Sequence, residues 1–498
     1  MKRIAVAAFI LLTLTPTIIL TQANPAAAGP YAVTQLDKGM VSDDLFPAIN
    51  NHGEIVWYHA ACQFQTGDPP VTYTETGKYY FYKDGSRTAL NFHANSDPPY
   101  NYFHPPLPLL NDQGQMGYVI QDYKDEGKYK IFFHDGPGGA PQTVSSTSSI
   151  PGYVQLNQQG RMVWSNYDAG TILQVYLFDN GQGQGSPITS YADTSGYTGF
   201  SGGLSLNDAG QVIWIERAWD ADTFEYVNHI RLYQGGVTQS IYSTPNVMYF
   251  TQINNQGQVA WLEQNPATGS SIMLYDGDSA RHIPGGDGFL QGHVSPDLQI
   301  NDQGQVMWLG NGPESDSRYN IFLYSNGATT QITHYTDAAD VLIDTQENWD
   351  DAKTKFSPRL NNHGEIVWAT SAPNSAKPNH LDLAVHVYSK GKTIELDRWT
   401  VNPWTIAMWG DHALHAVYAQ INDAGQVVWS RYRGADPPNL QSDFEIYLAT
   451  PVTLADAVRY LQVLAGKKDV PALGNVIGDE RIGIEDVIYY LQSAAELR

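Results

Sequence analysis

Ile49-Asn50-Asn51-His52-Gly53-Glu54-Ile55-Val56-Trp57 and Ile253-Asn254-Asn255-Gln256-Gly257-Gln258-Val259-Ala260-Trp261 are two copies of one nonapeptide that the chain carries eight times. Its Asn recurs at Asn50, Asn111, Asn157, Asn207, Asn254, Asn301, Asn361 and Asn422, with a Gly three residues later each time, from Gly53 to Gly425. An aromatic follows seven residues after the Asn: Trp57, Tyr118, Trp164, Trp214, Trp261, Trp308, Trp368 and Trp429. Successive Asn residues are 61, 46, 50, 47, 47, 60 and 61 positions apart, the spacing of a propeller blade or a solenoid unit.

Asn in first and Gly in fourth place are the marks of a type I turn closed by a left-handed Gly, which joins two antiparallel strands through a bulge. One polar residue follows each Gly, from Glu54 to Gln426, and then mostly apolar residues up to the aromatic. Runs such as Val427-Val428-Trp429 do not alternate, so this second strand is expected to be covered on both faces. A third strand ends at a turn, as in Ile321-Phe322-Leu323-Tyr324 before Asn326-Gly327, and a fourth follows, as in Thr329-Thr330-Gln331-Ile332-Thr333. Four short strands per unit and eight units predict an all-β, eight-bladed propeller.

The eighth unit stops at its third strand, Glu445-Ile446-Tyr447-Leu448, while Ala32-Val33-Thr34-Gln35-Leu36-Asp37 at the other end of the chain reads like the fourth strand Ala328 to Thr333. The N-terminal strand is therefore expected to complete the last blade. That closure leaves no open edges, whereas a solenoid must cap two.

Met1 to Ala28 reads as a secretory signal: Lys2 and Arg3, an apolar stretch from Ile4 to Leu20, and a small-residue exit at Ala26-Ala27-Ala28. Pro16 and the Ala-rich exit speak against a retained anchor, and no second apolar run is long enough to span a bilayer. The expected organisation is a signal at 1–28, a propeller at 29–449 and a helical tail at 450–498, in a secreted, periplasmic or surface protein of a bacterium. Loss of the two basic residues with the signal takes the net charge from −23 to −25, which argues against nucleic acid and against anionic membranes or glycans as partners unless a bound cation bridges them. Cys62, in what reads as the loop His59–Lys78, is the single cysteine, so no internal disulfide supports the fold.

The turns between first and second strands have one length. Variation falls between strands two and three (His59–Lys78, Ala369–Asp382) and between blades (Asn91–Pro106, His334–Phe356, Arg398–Val417). Both kinds of connection leave an up-and-down blade on the same face, where binding is expected. They carry Tyr100 and Tyr102; Trp349; and Trp399, Trp404 and Trp409 with Asp411, His412 and His415. Aromatic platforms beside carboxylates and imidazoles suit sugar rings, so an extracellular glycan or protein is the expected partner. The same carboxylates and histidines would serve a polysaccharide lyase or glycoside hydrolase, and a spacer in a surface assembly is the third reading. Asp340, Asp344, Asp350 and Asp351 form a candidate Ca²⁺ cluster. No Gly-rich phosphate loop, Gly-x-Ser-x-Gly elbow or His-Glu-x-x-His occurs.

From Thr450 the pattern turns helical. Thr453-Leu454-Ala455-Asp456 is a capping box, with Leu454, Ala457, Val458, Leu461 and Leu464 on one expected inner face. A second helix is expected from about Ile484 to Leu497, with Ile484, Val487, Ile488, Leu491 and Ala495 inward. Thr453-Leu454-Ala455-Asp456-Ala457-Val458 and Arg481-Ile482-Gly483-Ile484-Glu485-Asp486-Val487-Ile488 resemble the helix starts of a type I dockerin, the paired calcium-loop module that binds cohesins. The resemblance implies a cohesin-like partner for 450–498 and calcium at Asp479 and Asp486. The loops are degenerate, however: Ile477 takes a ligand position, Glu480 the place of the Gly, and the first loop falls inside the last propeller strand. The blades themselves resemble secreted TolB-like and HAF-type repeat propellers, whose units carry a similar Asn/Asp and Gly hairpin before an apolar strand. That resemblance implies fold, not activity. In the sialidase Asp-box the aromatic follows the Gly by three residues and here by four, which turns it to the other strand face.

Overall fold

A computed structural model describes residues 30–465 together with 487, 488 and 491, less the segments 41–45, 66–71, 91–107, 123–124, 169–171, 182, 193–197, 288–297, 312–318, 336–339, 342–357, 378–379, 402–416 and 433–443. The chain is an eight-bladed propeller of antiparallel sheets. Blade 5 shows the plan: strands Val247–Ile253, Val259–Asn265, Gly269–Tyr275 and Ala280–Asp287, each paired with the next. Blade 7 gains a fifth, short strand, Asp340–Val341, which pairs with Ser371 and Thr370 beyond the first strand Arg359–Leu360.

Blade 8 is closed as the sequence predicts. Tyr31–Met40 pairs with Phe444–Pro451, from Tyr31 opposite Pro451 to Met40 opposite Phe444. Asp37 on this strand reaches across to blade 1: its Oδ2 accepts the Trp57 indole N–H at 2.9 Å and faces His59 Nδ1 at 2.9 Å, and its Oδ1 accepts from Arg87 Nη1 at 2.6 Å. The N-terminal strand thus completes the last blade by a ladder and ties it to the first blade by side chains.

All eight second-strand aromatics are buried, which confirms the two-sided cover. In six blades the aromatic stacks on the ring directly opposite on strand three, as Trp57 on Tyr80, Trp164 on Tyr176 and Trp429 on Tyr447. In blade 7 the opposite ring is His386, at 5.5 Å from Trp368 and bonded to Thr370 Oγ1 at 2.9 Å. Burial pushes the His386 imidazole down from 6.5 to about 4.

Parts of three stretches expected as loops are strand. In blade 1, strands two and three run Ile55–Gln65 and Thr72–Lys83, paired through eleven residues, so Cys62 lies in a ladder opposite Glu75. In blade 7 they run Ile366–Pro373 and Leu381–Ser389, and the fourth strand continues to Val401. The Thr- and Tyr-rich segment Thr72-Tyr73-Thr74-Glu75-Thr76 has the composition of a pleated strand, and a hairpin once paired extends while backbone partners remain.

The tail begins as expected. Thr453 N donates to Asp456 Oδ2 at 2.9 Å and Asp456 N to Thr453 Oγ1 at 3.3 Å, a reciprocal cap on the helix Leu454–Leu464. Its packing differs from the expectation: Ala457 is fully buried, while Leu454, Val458, Leu461 and Leu464 are each more than two-fifths exposed. Of the residues expected to lie inward on a second helix, Val487 is buried, and Ile488 and Leu491 are exposed. Asp479, Asp486 and the signal segment lie outside the described residues.

Two acid-sensitive groups sit between blades. Burial pushes the Asp37 carboxyl up, but the bonds from His59 and Trp57 and the charges of His59 and Arg87 outweigh it and hold it below 3.8. A depressed carboxyl contributes stability above its unfolded value and loses it as pH falls through the folded one; a depressed imidazole is penalised as soon as the unfolded chain takes up a proton. Urea unfolding followed against pH is expected to show stability falling between 6.5 and 4 through His386, and again below 3.8 through Asp37. His386→Phe is expected to remove the first decline. Asp37→Ala is expected to cost about 3 kcal/mol at pH 7 by leaving a buried indole N–H and a cation without their acceptor, and to flatten the second decline.

Candidate functional site

The propeller axis has two different ends, and the repeated Asn builds one of them. In every blade Gly N donates back to Asn O, as Gly257 N to Asn254 O at 3.0 Å, and the Gly φ lies between 72° and 77°. The Asn Oδ1 accepts from the backbone of the residue four later in all eight blades, as from Gln258 N at 2.9 Å, and in six blades also from the residue two later, as from Gln256 N at 3.0 Å. Its Nδ2 donates to the carbonyl of the next blade's Asn: Asn50 to Asn111, Asn254 to Asn301, and so around the axis to Asn422, which donates to Asn50 O at 2.8 Å. The eight bonds form a closed ring.

The second Nδ2 hydrogen explains the polar residue after the Gly, which the sequence showed without a role. In seven blades it goes to that side chain, as Asn254 Nδ2 to Gln258 Oε1 at 2.8 Å; in blade 3 the acceptor is Gln159 Oε1. This polar side chain lies over the Gly of the following blade: a Cβ on Gly304 would come within 2.8 Å of Gln258 Oε1, and one on Gly53 within 2.7 Å of Gln426 Oε1. The Gly serves both its own turn and its neighbour's side chain.

A second ring is formed by the residue after each Asn. Its backbone N donates to the side chain of its counterpart in the next blade: Asn51 N to Asp112, Asp112 N to Gln158, and onward to Asp423 N to Asn51, at 2.7 to 2.9 Å. Even blades supply a carboxylate (Asp112, Asp208, Asp302, Asp423) and odd blades an amide (Asn51, Gln158, Asn255, Asn362). Asn255 Nδ2 donates to both flanking acids, Asp208 at 2.7 Å and Asp302 at 3.0 Å, and Asn51 Nδ2 to Asp112 and Asp423, both at 3.1 Å. Alternation keeps like charges apart and gives carboxylates a donor. Together the rings line a cavity of about 350 Å³ on the axis, backed by Ile and Leu from Ile49 to Ile421.

The connections of strand two to three and of blade to blade leave at the other end, the loop face. Of the residues assigned there from sequence, Trp399 is not a platform. It sits in the outer strand Lys392–Val401, 5% exposed, under the Arg431 guanidinium at 5.3 Å. Asp340 lies in the short strand of blade 7. Tyr100, Tyr102, Trp349, Trp404, Trp409, Asp344, Asp350, Asp351, Asp411, His412 and His415 lie outside the described residues. Among the described residues no group of three or more His, Cys, Asp or Glu side chains could hold a metal. What the sequence reading missed on this face is an arc of aromatics on the first strands of blades 3 to 5: Tyr153 and Phe200, edge to face at 5.8 Å, and Tyr249 and Phe250, whose rings lie 5.8 Å apart.

No protein family model matches the chain, and no curated protein sequence does. Among solved structures it is similar to the β-propeller domain of the Trilobed protease from Pyrococcus furiosus (8% identity over 71% of this chain and 98% of that one, TM-score 0.45). It is also similar to TolB from Acinetobacter baumannii (14%, 68% and 79%, TM-score 0.34) and to prolyl endopeptidases (11%, 70% and 50%, TM-score 0.44). These are likenesses of propeller architecture alone.

The clasp residues give a direct test. Asn254→Asp keeps the shape but removes both donors, leaving Asn301 O and Gln258 Oε1 facing a carboxylate. Its expected cost is about 3 kcal/mol in chemical unfolding, and an equal effect is expected at Asn422, which closes the ring.

Proposed function

We propose that this protein is an exported binding module that engages an extracellular carbohydrate or protein through its loop face, with residues 450–498 as a docking tail. The observation that carries the reading is the contrast between the two faces. At one end the eight turns share one geometry, locked by two closed rings. There, four of the seven turns from strand three to four are two-residue hairpins with both residues left-handed: Asp84-Gly85, Gly235-Gly236, Asn326-Gly327 and Lys390-Gly391. At the other end connection length runs from the two residues Pro245-Asn246 to the segment between Val401 and Ala419. A rigid scaffold that concentrates variation on one face holds its loops at little entropic cost on binding. Export and the extracellular setting rest on the N-terminal sequence. No helix among the described residues is long and apolar enough to cross a membrane.

Blocking each face in turn tests this. In a Cys62→Ser background, single cysteines carrying a large polyethylene glycol are placed at Glu126 or Ala376, exposed in strand two-to-three turns, or at Asp84 or Asn326 on the ring side. Against an array of polysaccharides and secreted proteins, the first pair is expected to weaken whatever binding the unmodified protein shows at least tenfold, and the second pair to leave it within twofold. The reverse pattern, or an array with no binding at all, would overturn the reading in favour of a spacer.

A further inference from the structure

We propose that the aromatic arc on blades 3 to 5 is the seat for a neutral carbohydrate chain, packed ring face to ring face. This rests on the loop-face reading and names the place and the ligand class within it. Four residues before the repeated Asn, the first strands of these three blades bulge: the pairing slips between Gly152 and Gln155, Gly202 and Ser205, and Tyr249 and Gln252. The residue at each bulge has left-handed φ: Tyr153 at 55°, Gly203 at 64° and Phe250 at 54°. Blade 4 uses Gly, which takes this conformation freely, whereas blades 3 and 5 hold aromatics there, where bulky side chains are rarely found. Such bulges re-aim a side chain, and strained residues of this kind gather where function demands them.

The three bulges interlock into one surface. A Cβ on Gly202 would stand 3.2 Å from the Tyr153 hydroxyl, so the tyrosine of blade 3 lies over the bulge of blade 4. Thr251 of blade 5 donates its hydroxyl to Gly203 O. Tyr153 is 40% exposed, and Ile150 and Val247, which lead into the arc, are each 43% exposed. The connections that enter blades 3 and 5, Ser148–Pro151 and Pro245-Asn246, are short.

The chemistry selects the ligand. Aromatic faces pack on the C–H faces of sugar rings, and Tyr153, Phe200, Tyr249 and Phe250 supply such faces in one arc. A net charge of −23 disfavours polyanions, and a neutral chain brings no ion to desolvate.

The test is native electrophoresis of the full chain through gels cast with galactomannan, xyloglucan or laminarin, and with alginate as the anionic counterpart. At least one neutral polymer is expected to retard the protein, and alginate none. Tyr153→Phe, which keeps the ring, is expected to bind within threefold of wild type, and Tyr153→Ala at least tenfold more weakly. Ile150→Asp, an exposed rim change that leaves the core intact, is expected to abolish retardation, with melting temperature followed for each variant. Retardation undiminished in Tyr153→Ala and Ile150→Asp would overturn the arc as the seat while leaving the loop face standing on the polyethylene glycol result. A wild type unretarded by every neutral polymer would overturn the carbohydrate assignment, and binding to a protein blocked from Glu126 or Ala376 would still uphold the loop face. Retardation by alginate alone would contradict the charge argument.

Discussion

The bond from each Asn Nδ2 to the next blade's Asn carbonyl is the constraint on which the rest depends. A buried amide has two donors and a carbonyl acceptor to satisfy, and here all are used: two backbone N–H groups on Oδ1, and a carbonyl and a side-chain oxygen on Nδ2. Asp would lack the donors, and Gln would place the amide a methylene too far. The bond forms when two neighbouring blades share one height and rotation, so eight of them in a ring fix each blade against both neighbours. Because Asn422 returns to Asn50, no blade is terminal at this level, and the covalent break between strand Phe444–Pro451 and strand Tyr31–Met40 is bridged by a ladder and by the clasp.

The rings also decide where variation is tolerated. A residue inserted in a strand one-to-two turn would break three sets of contacts: its own turn, the neighbour's polar side chain over the Gly, and the alternating carboxylate ring. Insertions at the other end disturb none of these. The constancy of the strand one-to-two turns follows from hydrogen-bond geometry. Buried charge follows the same economy. Glu216, Glu263 and Asp397 lie between blades with donors supplied by neighbours: Arg231 and Tyr191 for Glu216; Tyr242, Thr244 and Asn246 for Glu263; Trp429 for Asp397. Each cements an interface at mid-height that the rings secure at one end.

The blade count, the left-handed Gly, the buried aromatics and the closing strand were legible because they repeat, and repetition turns a local pattern into a statement about the whole chain. The roles of the residue after the Asn and of the polar residue after the Gly were not. The partners of the first lie 46 to 61 residues away, or 372 across the closure, and contacts between blades leave no trace in the spacing within one; the second bonds the Asn four residues before it, but its fit over the next blade's Gly is again a contact between blades. The alternation of Asp with Asn or Gln was present in the sequence, but its meaning depends on which side chains meet. Trp399 was misplaced because an outer strand and a following loop look alike when both hold isolated aromatics among polar residues. Pairing with Leu383 settles it as strand. In the tail, amphipathic spacing identified the helix and its cap but not which apolar residues are covered, since that depends on a partner surface.

Function in such a molecule is to be sought in departures from the repeat. A residue present in all eight blades serves the ring, and its chemistry is spent there. Position four before the Asn is different. The ring does not require an aromatic there, because blade 4 makes the same clasp with Gly203. Nor does the bulge require one, because Gly forms it without strain. Phe250 packs in part against the core of blades 5 and 6, whereas Tyr153 is two-fifths exposed and is held in left-handed backbone on a strand that reaches the open end of the axis. A half-exposed ring that the architecture neither needs nor favours is most simply explained by what it touches outside the protein.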